Sequence, residues 1–144
     1  MPPRLDHIGV VVTDLATATA FFVDLGLIVE GEAAVGGEWV DRVVGLAGVQ
    51  SDIVMLKTPD GHGRVELSRF RSPHTLASEA PQSANALGIR HLAFEVDDLD
   101  GTACRLREHG AELIGEVRKY EEVYLLCYMR GPEGIIVELA QRIG

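Results

Sequence analysis

The clearest pattern along the chain runs from Arg90 to Leu99. Leu92, Phe94 and Val96 fall on one side, and His91, Ala93 and Glu95 on the other. A period of two with one apolar set predicts a β-strand buried on a single face. Asp97 and Asp98 offer an N-cap and Gly110 a stop, which predicts a helix from about Leu99 to His109. The stretch Asp6 to Leu15 has the same form at a constant offset (91 − 7 = 84). His7 matches His91, Val12 matches Val96, Gly26 matches Gly110, and Gly31-Glu32 matches Gly115-Glu116. The chain therefore reads as two copies of one unit.

The rest of the pattern fills in each copy. Leu5 to Val12 predicts a strand, and Asp14 caps a helix to about Leu25 with Phe21, Phe22 and Leu25 on its apolar stripe. Leu27 to Glu32 predicts a short strand and Ala33 to Gly37 a turn or loop, while Trp39 to Val49 fits a helical turn and an irregular strand equally well. Asp52 to Thr58 and Arg64 to Ser68 predict strands either side of the turn Pro59-Asp60-Gly61. The second copy continues with a strand near Glu112 to Val117, then Val123 to Met129, a turn at Gly131 to Gly134, and Ile135 to Ala140. The expectation is one α+β domain over 1–144, with module one at 4–70, a linker at 71–87 and module two at 88–142. Each module is strand, helix and then about three strands, giving eight strands with helices outside.

Composition narrows the function. The chain has 144 residues, 47% of them hydrophobic and 24% charged, enough to bury a core. A net charge of −9 with no basic stripe argues against nucleic acid and, more weakly, against a membrane surface. No apolar run approaches spanning length, and Met1-Pro2-Pro3-Arg4 leads straight into a strand, so a cytoplasmic protein without a signal peptide is expected. The two cysteines, Cys104 and Cys127, read as unpaired packing thiols.

The alternation then isolates four polar residues. If the apolar faces pack under the helices, the opposite faces carry His7, Glu66, His91 and Glu138, set beside the apolar Ile8, Val65 and Leu67, Leu92, and Val137 and Leu139. Two imidazoles and two carboxylates suit a divalent ion, although solvated glutamates and hydrogen-bonded structural histidines give the same pattern. Arg64, Ser68 and Glu95 share the strand faces of these residues and are cavity candidates, as are Trp39 and Tyr128. His62, beside a turn, reads as exposed.

These residues resemble a known family. His7…Asp14-Leu15…Gly26, Val-Glu-Leu at 65–67, His91-Leu-Ala-Phe-Glu-Val-Asp-Asp-Leu and Gly131-Pro-Glu-Gly-Ile-Ile-Val-Glu138 look like the vicinal oxygen chelate superfamily. That group includes glyoxalase I, methylmalonyl-CoA epimerase, extradiol dioxygenases and the bleomycin and fosfomycin resistance proteins. The resemblance implies paired βαβββ modules forming a curved eight-stranded sheet around a metal-containing cavity, in a homodimer with a small-molecule substrate. It implies one divalent ion (Zn, Ni, Co, Mn or Fe) held by His7, Glu66, His91 and Glu138, with Glu138 or Glu66 moving a proton next to a metal-bound carbonyl, via an enolate.

The chain departs from the glutathione-using members, which carry an arginine where it has Val11 and an asparagine where it has Phe70. It departs from the epimerases, which carry glutamine in place of Glu66 and a glycine-rich stretch in place of Tyr120 to Tyr124. Two alternatives follow from the same resemblance. One is an Fe(II) extradiol dioxygenase using His7, His91 and Glu138, with Tyr128 before the last ligand. The other is an antibiotic-sequestering protein of the bleomycin resistance type, in which Trp39, Tyr120 and Tyr124 stack on a cationic drug.

Overall fold

Both alternating stretches form strands, and each opens a βα-βββ series in a computed structural model that describes residues 1–77 and 81–144. The centre of the expected linker, 78–80, lies outside the described residues. The chain divides into two units, Met1–Ala77 and Ser78–Gly144.

In the first unit β1 (Ile8–Val11) leads into α1 (Leu15–Leu25). Asp14 caps α1 by accepting the Thr17 backbone N–H at 3.0 Å and the Thr17 hydroxyl at 2.7 Å. Gly26, at φ 124°, ends it and donates its N–H back to the Phe22 and Val23 carbonyls. β2 (Ile28–Gly36), α2 (Glu38–Val44), β3 (Gln50–Lys57) and β4 (Arg64–Ser72) follow. The sheet order is β1-β4-β3-β2, with β1 parallel to β4 and the other pairs antiparallel. The apolar side of α1 (Ala18, Phe21, Phe22, Leu25) is buried with Val54, Leu56, Val65 and Leu67 of the sheet, and Phe21 meets Phe22 edge to face at 5.2 Å.

The second unit repeats this order. β5 (His91–Glu95), α3 (Leu99–Glu108), β6 (Glu112–Tyr120), β7 (Tyr124–Arg130) and β8 (Ile136–Arg142) form a sheet in the order β5-β8-β7-β6, with β5 parallel to β8. A 3-10 turn, Pro132–Gly134, joins β7 to β8. Asp98 caps α3 by accepting the Gly101 N–H at 3.0 Å, and Gln141 of β8 accepts the Leu99 N–H at 2.8 Å, tying helix to sheet. Leu99, Ala103 and Leu106 are buried with Cys127, Met129, Val137 and Leu139. The matching pair Gly31 and Gly115 has a structural cause. Each sits at a register shift between the first long strand and its neighbour, and Gly115 takes φ 67°, a conformation that side chains disfavour.

The eight strands are thus hydrogen-bonded as four and four, in the paired α+β modules expected. Five local expectations change. β1 begins at Ile8 rather than Leu5. β2 continues through Ala33 to Gly36, because small residues there pair with Gln50 to Ile53 along the edge instead of looping out. Trp39 to Val49 resolves into α2, which buries Val40 and leaves Trp39 and Val43 facing out. β4 extends to Ser72, into the stretch read as linker. The segment Gly37–Val49 has no counterpart in the second unit, where Glu121–Val123 alone join β6 to β7. Cys104 is exposed on α3, against its reading as a packing residue, because the buried stripe runs through Leu99, Thr102, Ala103 and Leu106. Cys127 is buried, and desolvation raises its thiol pKa.

Candidate functional site

Each unit presents a histidine and a glutamate on the sheet face its helix leaves uncovered. In the first unit, Glu66 of β4 lies between Gly9 of β1 and Met55 of β3 across the ladder. His7, immediately before β1, brings its Nε2 to 3.6 Å from Glu66 Oε2. In the second unit, Glu138 of β8 lies between Ala93 of β5 and Tyr128 of β7, and His91 Nε2 stands 3.4 Å from Glu138 Oε1. The glutamates are half-buried, at 26% and 21% exposed, and the histidines are exposed, at 36%. Among the described residues, no group of three or more His, Cys, Asp or Glu side chains is gathered as an ion's shell. The structure brings the expected ligands together as two pairs, one within each unit.

The first pair has a third member. His7 Nδ1 stands 2.7 Å from Asp6 Oδ2. Asp6 has its pKa lowered chiefly by this hydrogen bond, with the His7, Arg64 and Arg4 charges adding to it. A neutral ring that donates Nδ1–H to this carboxylate turns an Nε2 lone pair toward Glu66. Two electron-rich atoms 3.6 Å apart repel unless a proton or a cation sits with them. That donor chemistry, imidazole nitrogen beside carboxylate oxygen with a carboxylate behind the imidazole, fits a divalent metal.

The surroundings of the two pairs differ. Ser68 donates its hydroxyl to Glu66 Oε1 at 3.4 Å and is itself buried. Tyr128 packs against His91 with ring centres 4.9 Å apart and lies opposite Glu138 in the ladder. Desolvation raises the Tyr128 pKa, and the Glu138 charge raises it further, so the phenol keeps its proton.

Of the other candidates, Arg64 faces Asp6 Oδ1 at 3.6 Å and Glu30 Oε2 at 3.3 Å. Its Nε is buried with no hydrogen-bond partner among the described residues. Arg64, Asp6, Arg4 and His62 line an open concavity of about 710 Å³. Glu95 is exposed and lies 3.9 Å from Arg142 Nε. Trp39 is 71% exposed on α2. Sequence reasoning missed Asp6 and Glu30. Asp6 carried a signal in its adjacency to His7, whereas Glu30 meets Arg64 only once β2 and β4 share a sheet.

Comparison with known proteins follows the same lines. The family model described as the glyoxalase/bleomycin resistance protein/dioxygenase superfamily matches residues 6–141. The uncharacterized protein YaeR of Escherichia coli is 31% identical over 142 residues, 96% of each chain. A crystal structure of a glyoxalase family protein from Bacillus cereus is 48% identical, with a TM-score of 0.95 over 100% of this chain and 97% of that one. Leishmania major glyoxalase I, described as trypanothione-dependent, shares the fold at 17% identity, with a TM-score of 0.67 over 97% of this chain and 87% of that one.

Proposed function

The chain belongs to the glyoxalase/bleomycin resistance protein/dioxygenase superfamily, and from that premise we propose a divalent-metal-dependent enzyme of the glyoxalase and epimerase type, an isomerase or lyase that moves a proton at a carbon next to a carbonyl. The observation that carries this reading is the duplicated pairing of imidazole nitrogen with carboxylate oxygen, at 3.6 Å and 3.4 Å. We assign His7, Glu66, His91 and Glu138 as the ligands of one ion, for which Zn, Ni, Co, Mn and Fe all suit the donors. Such an ion supplies Lewis-acid polarisation of a substrate carbonyl, which makes the neighbouring C–H more acidic. Glu66 or Glu138 takes that proton and returns it. The Ser68 hydroxyl orients the first carboxylate and the Tyr128 phenol the second. The assembly we propose is a homodimer, which light scattering of the purified protein reads.

Elemental analysis of protein purified without chelator tests the assignment. About one ion per chain is expected. Metal far below that, with none regained on reconstitution, would falsify it. Solvent deuterium is expected to enter a substrate C–H, and Glu66→Gln or Glu138→Gln to slow that exchange by about 10²–10⁴-fold, the usual worth of a general base.

A second reading, an Fe(II) ring-cleaving dioxygenase on His7, His91 and Glu138, is favoured by the place of Tyr128 against both His91 and Glu138. Oxygen uptake with a catechol in the Fe(II)-loaded protein, without deuterium exchange, would select it over the isomerase.

A further inference from the structure

The two histidines match in the repeat but not in what precedes them. His7 follows Asp6, and His91 follows Arg90. We propose that Asp6 is a positioning residue that holds His7 with its proton on Nδ1 and its Nε2 lone pair toward Glu66, and that among the described residues His91 has no such device, so the two His–Glu pairs are chemically unequal.

The geometry is specific. The Nδ1 to Oδ2 distance is 2.7 Å, short for a nitrogen donor and typical of a charge-assisted bond. A carboxylate accepts and cannot donate, so only one tautomer of neutral His7 satisfies the contact. Asp6 is steadied in turn by Arg64, whose Nη1 lies 3.6 Å from Asp6 Oδ1 and whose Nη2 reaches Glu30 Oε2 at 3.3 Å. The order Glu30, Arg64, Asp6, His7, Glu66 thus lies wholly within the first unit.

Among the described residues, nothing equivalent faces His91. A guanidinium has no lone pair with which to accept an N–H, and Arg90 turns its Nε to the Ile89 carbonyl at 3.2 Å. His91 is oriented by its ring face, against Tyr128 at 4.9 Å. Packing of that kind sets the plane of an imidazole but not which nitrogen carries the proton. A carboxylate behind an imidazole also makes the far nitrogen a stronger donor. His7 is therefore the anchoring nitrogen and His91 the weaker one. This ranking rests on the metal reading above, whereas the tautomer of His7 does not.

The test is long-range ¹H–¹⁵N correlation of the histidine rings in metal-free protein, recorded with rising pH until the ¹⁵N shifts report neutral rings. His7 is expected in the Nδ1–H form, and Asp6→Ala to move it toward the Nε2–H form while the His91 resonances stay in place. Asp6 is exposed, so the variant keeps its fold, and Asp6→Asn removes the charge while keeping the shape. Zn²⁺ titration by calorimetry is the second arm, with an expected loss of affinity of about 10–100-fold in Asp6→Ala, the usual cost of losing such a partner. His7 carrying its proton on Nε2 in the wild type, or an unchanged tautomer in Asp6→Ala, overturns the proposal. Absence of Zn²⁺ binding in the wild type overturns the metal reading instead and leaves the tautomer result to decide the role of Asp6.

Discussion

Asp14 and Asp98 stand at matching places in the repeat and do the same work, each closing the first turn of a helix with its carboxylate. Asp98→Ala is expected to cost about 1 kcal/mol of stability, measured by urea denaturation. Asp14 allows a pH test. Its folded-state pKa is lowered, first by the Thr17 backbone N–H and then by the Thr17 hydroxyl. A depressed carboxyl pKa contributes stability that is complete above the unfolded value, about 3.9, and lost as the pH falls through the folded value. Asp14→Asn keeps a good cap, so the variant should match the wild type near neutrality and lose less stability in acid, as read by thermal melts across that range. Both caps were legible in the sequence, because an aspartate before an apolar stripe acts locally, on a backbone N–H three residues on. Asp6 was not, because its role depends on which ring nitrogen it meets, and spacing carries no information about that.

Among the elements, α1 and α3 were legible from their stripes and glycine stops, and the burial of Phe22 and Leu106, neither of them measurably exposed, follows from those stripes. Leu106→Ala should cost about 2–5 kcal/mol by denaturant titration, since α3 leaves little room for its sheet to close over the gap. α2 was not legible. Only Val40 of its residues is buried, and one buried position defines no period. The exposed Trp39 therefore adds little to folding, and Trp39→Ala should change stability by no more than about 0.5 kcal/mol in the same titration. A larger loss would show that Trp39 is covered in solution. Nor was the extension of β2 legible, because Gly31, Ala33 and Ala34 carry weak β-preference and are kept in the ladder by β3.

For the whole molecule, the duplication was the most legible feature and matched the two histidines. The offset of 84 that joins the histidines does not join the glutamates, because Gly37–Val49 intervenes in the first unit alone. Glu66 and Glu138 were found by strand alternation, and their equivalence became visible only through the ladders, in which each lies beside its module's first strand. If the four side chains serve one ion, folding and binding are linked. Divalent metal at about 100 times its dissociation constant should then stabilise the protein by about 2.7 kcal/mol, and chelator should reverse the gain, as read by calorimetric melting. An identical melt with and without metal would leave the pairs as surface contacts of little energetic worth.

α2 sits between Gly37, at φ 111°, and Gly45, at φ 80°, and rejoins the sheet where Asp41 accepts the Gly48 and Val49 backbone N–H groups. Such an appendage can be lengthened, shortened or rewritten at small cost to the scaffold, whereas the tight Glu121-Glu122 turn of the other module leaves no such freedom. Differences in length between related chains should therefore collect between β2 and β3 of the first module, while the tight turn of the second keeps its length.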